Sequence, residues 1–262
     1  MSGMREATAV ELLKAQRSRL PWVTVLAFTV TTLVGGLFMF ILEDQGRARS
    51  MGLLGAKATL AAGDADWPTY FGFLAQATAI GGMAVFGLVL TWMFGREFSQ
   101  GTVKDLLALP TSRATIVGAK FTVAAAWCTA LALYTYLLGL VVGAALGLPG
   151  WSPAAAVTGL TTLLATAAMT ILLATPVALA AGIGRGYLAG VGFILAVIFL
   201  AQIIAALGYG HYFPWSVPAL FSGLAGPDRD PPGLLGFTLV ALVGTGGVLT
   251  TAAWWVWADQ DR

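Results

Sequence analysis

The sequence predicts an all-α membrane protein with six transmembrane helices. Of its 262 residues, 58% are hydrophobic and only 10% are charged, whereas a soluble domain carries about 25% charged residues. The mean hydropathy is +0.84. The apolar runs are continuous and do not alternate with period two, as the strands of a β-barrel do. The chain is therefore expected to lie in a lipid bilayer, where ionised side chains are costly.

The residues before the first span predict an amphipathic helix over 4–20 that lies at the membrane surface. Val10 and Leu13, joined by Arg17 and Leu20, fall on one side of it, and charged residues surround the rest. We assign residues 1–20 to this cytosolic interface helix. The segment is too long and too polar for the n-region of a signal peptide, so the first span is expected to be retained.

Six apolar runs are long enough to cross a bilayer, which takes about 20 residues in a helix. Lys120, near the start of the third run, is expected to extend its ammonium group to the aqueous interface. Pro176 is expected to kink the fourth run. The predicted spans, which together form a transmembrane domain over 21–257, are 21–42, 69–95, 116–147, 154–183, 187–207 and 233–257.

The basic residues are divided unevenly between the two sides of this topology. Ten lie on the side of the two termini and four on the other. The positive-inside rule therefore predicts that both termini, including a tail over 258–262, are cytoplasmic. The ten are Arg5, Lys14, Arg17, Arg19, Arg96, Lys104, Arg113, Lys120, Arg185 and Arg262, and the four are Arg47, Arg49, Lys57 and Arg229.

A polar segment, GREFSQGTVKDLLALPTSR at 95–113, separates the second and third spans. Gly101 precedes a stretch patterned as a short amphipathic helix over 102–109, and Pro110 ends it because proline lacks an amide donor. From this pattern alone, a loop lying in the headgroup region is an equally good interpretation. The apolar face consists of Val103, Leu106 and Leu107, while Lys104 and Asp105 point elsewhere.

This segment also carries a family resemblance. Its pattern resembles the E-x-x-x-G-T…L-L…P-x-S-R…K signature of ABC-2 type permeases, the membrane subunits of one class of ABC exporters. The N-terminal helix and the six spans are similar to the small bacterial permeases of the bacitracin, lantibiotic and multidrug type. The residues that match are Glu97, Gly101, Thr102, Leu106, Leu107, Pro110, Ser112, Arg113 and Lys120.

In that family the segment is the coupling helix, which sits in a groove of a separate cytosolic ATPase. The resemblance implies that residues 96–113 do so here, with the ATP and Mg²⁺ bound by the partner and no cofactor in this chain. Glu97 would then tie the second span to the N-terminal helix. The residues assigned to the ATPase coupling are Glu97, Gly101, Thr102, Val103, Lys104, Asp105, Leu106, Leu107, Pro110 and Arg113, with the apolar ones as anchors and Lys104, Asp105 and Arg113 setting the register.

An aromatic and proline-rich stretch over 208–232 precedes the last span. Its central part, about 214–224, suggests a short re-entrant helix within an outer element over 209–226, as the family resemblance also implies. Non-helical backbone at membrane depth requires burial in protein, so this element is predicted to form part of an outer gate. An interfacial loop is nearly as good an interpretation. The gate residues are Phe213, Pro214, Trp215 and Pro218.

Several functions are excluded or disfavoured by the sequence. It contains no G-x-x-x-x-G-K-[ST] motif for binding nucleotide phosphates. Apart from Lys120 near one end of the third span, polar residues in the spans are limited to Thr, Tyr, Gln76 and Gln202, so neither intramembrane catalysis nor ion transport is expected. Asp64 and Asp66 suggest a solvated turn more than a cation site, and no metal site is predicted.

These observations favour a non-enzymatic permease subunit in a bacterial plasma membrane. With a second copy or a paralogue, and one ATP-binding subunit for each permease, it would export a hydrophobic or amphipathic drug, peptide or lipid. No nucleic-acid partner is expected, because the net charge is only +2. The alternatives are a membrane scaffold or sensor that recruits a cytosolic partner without transport, and a membrane-embedded enzyme, which would need polar side chains around one cavity.

Overall fold

The structure, a computed structural model, confirms the all-α class. It describes residues 2–44, 46, 50–52, 64–107, 110–223 and 232–257. This part of the chain contains six helices that are long and apolar enough to cross a membrane. The predicted tail at 258–262, the end of the outer element at 224–226 and residues 108–109 of the predicted short helix lie outside the described residues.

The helices are numbered in chain order. A short helix precedes the first span, another lies between spans 2 and 3, and a third precedes span 6. The helices are α1 (Ser2–Gln16), α2 (Leu20–Glu43, span 1), α3 (Trp67–Ser99, span 2), α4 (Val103–Leu107), α5 (Arg113–Ala145, span 3), α6 (Pro153–Ile183, span 4), α7 (Tyr187–Ala206, span 5), α8 (Val217–Phe221) and α9 (Leu234–Trp257, span 6).

Helices α3 and α6 form the centre of the bundle. They are the most buried of the six spans and pack closely along one another. The contact is close because Gly159 of α6 has no side chain where the ring of Phe71 lies; a Cβ built there would fall 2.5 Å from the ring. Gly143 of α5 likewise faces the indole of Trp67. Small residues thus serve packing between helices of one chain.

Helix α6 continues through Pro176; the kink expected there stays a prediction. Proline has no amide hydrogen to donate to the Leu172 carbonyl one turn earlier. The hydroxyl of Thr175 donates to that carbonyl at 2.8 Å and also lies 2.8 Å from the Gly244 carbonyl of α9. The single hydroxyl hydrogen is thus shared between the freed carbonyl and a carbonyl of α9, which places the two helices side by side.

The N-terminal helix is shorter than the sequence predicted. Helix α1 ends at Gln16, and α2 begins at Leu20. The hydroxyl of Ser18 donates to the Ala15 carbonyl at 2.7 Å and accepts from the amide of Leu20 at 3.1 Å. A serine that bonds to the local backbone in this way competes with the helix, and the chain turns here instead of continuing to residue 20.

Candidate functional site

The turn that ends α3 brings Glu97, Gly101 and Thr102 of the polar segment into one structure. The amide of Gly101 donates to the Phe98 carbonyl at 3.1 Å, and the amide of Thr102 donates to the Glu97 carbonyl at 2.9 Å. Gly101 has φ +69°, a region that costs other L-residues about 1–2 kcal/mol. This Schellman arrangement returns Thr102 to Glu97, and its hydroxyl donates to Glu97 Oε2 at 2.6 Å.

Four side chains form a closed ring of ion pairs beside this turn. This ion cluster consists of Glu11 and Lys14 of α1, Glu97 of α3 and Lys120 of α5. The Nζ of Lys14 lies 2.9 Å from Glu11 Oε1 and 3.0 Å from Glu97 Oε1. The Nζ of Lys120 lies 3.0 Å from Glu11 Oε2 and 3.0 Å from Glu97 Oε1. Each lysine contacts both carboxylates, so the cluster is neutral as a whole and joins α1 to spans 2 and 3.

The cluster is almost closed to solvent. The exposed fraction of the side chain is 1% for Lys120 and 5% for both carboxylates, while that of Lys14 is 26%. Lys120 makes a third contact, donating to the Met93 carbonyl at 2.9 Å. Removing a charge from water costs several kcal/mol unless partners and hydrogen bonds replace the lost hydration. Each member therefore depends on the others, and this set of contacts fixes how α1 sits on the bundle.

Lys14 is the member of the cluster that lies nearest to water. Burial lowers the pKa of Lys14, but the carboxylates of Glu11 and Glu97 outweigh this and raise the pKa above its ordinary value of 10.5. Because the folded-state pKa is raised, the stabilisation that Lys14 supplies is fully present below its ordinary pKa. It is lost only as the pH rises through the higher folded-state value. The cluster therefore keeps this charge throughout the neutral range.

The prediction that Lys120 reaches the aqueous interface is wrong. Its Nζ is buried and points toward α1 and the end of α3, where it meets two carboxylates. A lysine near the end of an apolar helix extends to water when nothing closer can bind its charge. Here Glu11 and Glu97 supply that binding inside the protein, and the long side chain is used to reach them.

The short helix α4 presents a polar surface. Val103 is buried in the core of the chain, with 8% exposed, and Leu106 packs partly against the same core. Lys104 and Asp105 are exposed. Val103 and Leu106 thus hold α4 on the bundle, and the side chains of Lys104 and Asp105 face outward. The side chain of Leu107, a predicted anchor, lies outside what the structure describes.

The next helix begins with a cap and an interhelical contact. The hydroxyl of Ser112 accepts from the amide of Thr115 at 3.1 Å, as an N-cap serine does. Arg113 Nη1 donates to the carbonyls of Trp255 at 3.3 Å and Val256 at 3.4 Å, at the C-terminal end of α9. A cation is favourable at a helix C-terminus. Arg113 thus ties the segment after α4 to span 6. Pro110, which lies between α4 and α5, is exposed.

The stretch before the last span forms three short helical turns that pack against spans 2, 4, 5 and 6. Two 3-10 turns, Gly210–Tyr212 and Pro214–Ser216, lead into α8. Trp215 Nε1 donates to the Leu173 carbonyl of α6 at 3.0 Å, and the Ser216 hydroxyl donates to the Ala201 carbonyl of α7 at 3.0 Å. Protein rather than lipid thus satisfies these polar groups, which is the condition for such backbone within a bilayer.

The predicted gate residues do not share one environment: Pro218 is buried, whereas Phe213, Pro214 and Trp215 are partly exposed. A cavity of about 80 Å³ lies beside Trp215, and Gln76 and Gln202 are its polar side chains from spans 2 and 5.

Comparison with known proteins agrees with this architecture. The sequence model of a protein family described as "ABC-2 family transporter protein" matches residues 8–202 of the chain. The chain belongs to the ABC-2 transporter family. It is also 25% identical over 151 residues to the bacitracin transport permease protein BCRB of Bacillus licheniformis, an alignment that covers 57% of this chain and 73% of that protein. The family match spans the ion cluster, the α3–α4 turn and most of span 5.

Sequence reasoning did not identify two members of the permease's ion cluster, Glu11 and Lys14. They lie on α1, and their partners Glu97 and Lys120 are far away in the sequence. The sequence signal that could have identified them is their spacing, because residues three apart on a helix share a face. Glu11 and Lys14 form an acid–base pair on a face of α1 whose other residues are mostly small, which suggests a buried contact. Within the described residues, no group of three or more His, Cys, Asp or Glu side chains is placed to hold a metal ion.

Proposed function

We propose that this ABC-2 permease is the membrane subunit of an exporter, driven by a separate ATP-binding subunit that contacts residues 96–113. Two copies, or this chain and a paralogue, enclose the transport path. The end of the bundle that carries α1, α4 and the end of α9 is the cytoplasmic end, and the outer element at 209–226 forms part of the gate on the other side. The chain itself carries out no covalent chemistry.

The observation that carries this proposal is the ion cluster. It joins three helices that the sequence separates, and it lies directly beside the Glu97–Thr102 turn from which α4 projects. A force applied to α4 therefore acts on span 2 through the turn, and on α1 and span 3 through the cluster. Closely packed, fully paired contacts of this kind move as a unit, because separating any member leaves a buried charge unpaired.

A second contact extends the movement to span 6. Arg113 connects the start of α5 to the last carbonyls of α9. The Trp255 indole is fully buried beside Phe94 and Phe98 near the end of α3, with ring centroids 6.1 and 5.7 Å away. Motion of the segment 96–113 thus reaches the ends of spans 2, 3 and 6 together. Spans 1 and 5 pack against span 2. In the proposed cycle, ATP binding therefore draws two such segments together, spans 1, 2 and 5 tilt, and the outer gate opens.

The proposed substrate is an amphiphile, such as a hydrophobic drug, a lipid or a peptide. The cavity between spans 2 and 5 and the outer element has apolar walls and two amide side chains, Gln76 and Gln202. Amide groups can donate and accept hydrogen bonds without the cost of a buried charge. The similarity to a bacitracin transport permease also favours a peptide among these classes. Direction and substrate can be tested with everted membrane vesicles and labelled bacitracin.

The ATPase contact can be tested by reversing the two exposed charges of α4. Because Lys104 and Asp105 are exposed and make no ion pair among the described residues, the double change Lys104→Glu/Asp105→Lys should leave the fold intact. We expect it to weaken binding of the ATP-binding subunit that co-purifies with the native chain by about tenfold, through like-charge contacts at the interface. Binding is measured by interferometry with the permease in nanodiscs.

Arg5→Glu provides the matched control, since Arg5 is exposed on α1 at the same end of the bundle. This variant should bind the ATP-binding subunit within about twofold of the native affinity. If the double α4 variant binds and stimulates the ATPase as the native chain does, α4 is not the point of contact. If no ATPase co-purifies with the native permease, the proposal of a scaffold or sensor gains support over transport.

A further inference from the structure

A groove with excess positive charge lies between α1 and the end of span 2. Its volume is about 410 Å³. Arg17 and Ser18 lie at one wall and Arg96 at the other. The groove is open at the surface and separate from the cavity beside the outer element. The side chains that line it are Val10, Leu13, Lys14, Arg17, Ser18, Trp92, Arg96 and Gln100.

The positive charge of this groove is not neutralised by the protein residues that line it. No carboxylate is among its lining side chains. Lys14 already belongs to the ion cluster, which balances its charge. Arg17 and Arg96 make no ion pair within the described residues. The lining of this groove therefore has a surplus of two arginine charges, although Arg96 also lines an adjoining cavity that contains Asp105.

Arg96 is held in position for binding. Its guanidinium carbon lies 4.9 Å from the ring centroid of Trp92, and its Nε donates to Gln100 Oε1 at 2.9 Å. These contacts leave both terminal nitrogens of the guanidinium without a partner among the described residues. Two such nitrogens form the bidentate pair of hydrogen bonds that suits phosphate oxygens. The fixed side chain loses little further freedom when an anion binds.

The groove also has apolar side chains in its lining. Val10 and Leu13 of α1 are about half exposed, and Trp92, whose ring lies against Arg96, also lines the groove. A tryptophan near the end of a span is typical of the membrane interface. The groove therefore combines a cationic part with an apolar part at the level where α1 meets the ends of the spans. Inorganic phosphate would use only the arginines.

We propose that this groove binds the headgroup of an anionic phospholipid such as phosphatidylglycerol. Arg17 and Arg96 bind the phosphate, and the glycerol and upper acyl chains contact Val10, Leu13 and Trp92. Basic pockets beside membrane helices are suited to anionic lipid headgroups. The bound lipid bridges α1 and α3 next to the ion cluster and strengthens the docking of α1. This proposal depends on neither the direction of transport nor the identity of the substrate.

The test is native mass spectrometry of the full-length chain in detergent, titrated with dioleoylphosphatidylglycerol or dioleoylphosphatidylcholine. We expect phosphatidylglycerol to bind more tightly. The Arg17→Gln/Arg96→Gln variant should weaken its tightest binding event by about tenfold, as expected for the loss of charge-assisted pairs. The matched control is Arg5→Gln/Arg185→Gln, which removes two exposed arginines that do not line the groove and should change the affinity by less than about twofold.

Three results would overturn the proposal. The first is that the groove variant binds phosphatidylglycerol as tightly as the native chain does, and the second is that the two lipids bind equally. The third is that millimolar inorganic phosphate displaces the lipid completely; this displacement would indicate a site for free anions. If the glutamine variant does not fold, Arg17→Lys/Arg96→Lys replaces it. Lysine keeps the charge but cannot form the bidentate pair, so we expect a smaller loss of affinity, and an unchanged affinity would also contradict the proposal.

Discussion

The spacing of Glu97, Gly101 and Thr102 has a geometric reason at the level of single residues. A helix that ends in a left-handed residue folds the next residue back over the last turn. Gly101 takes the left-handed position, so Thr102 must meet the residue five positions earlier, which is Glu97. The sequence pattern therefore corresponds to a single turn, in which the carboxylate of Glu97 accepts a hydrogen bond from Thr102.

At the same scale, we predict that Lys120→Met destabilises the protein strongly. The change leaves the carboxylates of Glu11 and Glu97 in a buried site with only Lys14 to neutralise them. Breaking a buried pair by removing one partner costs about 3–5 kcal/mol, which is a fall of roughly 10 °C in Tm for a chain of this size. The measurement is thermal unfolding in detergent, followed by the tryptophan fluorescence.

The control for this change is Lys104→Met, which removes an exposed lysine from the neighbouring α4 and should have little effect on Tm. The double variant Lys120→Met/Glu97→Gln removes one charge of each sign. It leaves Glu11 and Lys14 as a pair, so it should recover part of the lost stability. If Lys120→Met is no less stable than Lys104→Met, the cluster does not hold α1 on the bundle.

At the scale of the helical elements, spans 2 and 4 end with the same pattern of hydrogen bonds but different residues. After span 4, the amide of Arg185 donates to the Gly182 carbonyl and that of Gly186 to the Ala181 carbonyl, as at the end of span 2. Arg185, with φ +48°, occupies the left-handed position. A side-chain-bearing residue is strained there, so this turn is less stable than the turn at Gly101.

We predict that Arg185→Gly raises the free energy of unfolding by about 1 kcal/mol, because glycine adopts this conformation without the clash of a Cβ with the backbone. The residue is exposed, and no side-chain hydrogen bond or ion pair of Arg185 is lost in the described structure. Thermal unfolding in detergent is the measurement. Arg185→Ala, which removes the same charge but keeps a Cβ, should not show the gain; an equal gain in both variants would attribute the effect to charge.

At the scale of the whole molecule, the sequence predicted what depends on one helix at a time. Hydropathy and length placed all six spans to within a few residues, since each span must satisfy its own backbone in lipid. The ion cluster depends on the meeting of α1, α3 and α5, and the periodicity of one helix carries no information about that meeting. For the same reason, Lys120 was predicted to reach water, and the burial of Val103 in the chain's own core was not foreseen.

The connection between Arg113 and span 6 leads to a prediction about the assembled transporter, and it depends on the proposed function. Arg113 contacts only backbone carbonyls of α9 among its described hydrogen bonds. Arg113→Ala should therefore leave the ATP-binding subunit bound while loosening α9 from the segment 96–113. We expect the coupling to weaken by about 1 kcal/mol, or roughly fivefold in substrate transported per ATP hydrolysed. Transport and ATPase activity are measured in the same proteoliposomes.

Arg113→Lys keeps a cation at the C-terminal end of α9 and should retain most of the coupling. The two variants thus separate the charge from the packing of the side chain. A loss of ATPase binding in Arg113→Ala would show instead that Arg113 contacts the ATPase, as the sequence first suggested. Equal transport per ATP in the native and alanine proteins would mean that span 6 receives its motion through another contact, of which the buried indole of Trp255 beside Phe98 is the nearest.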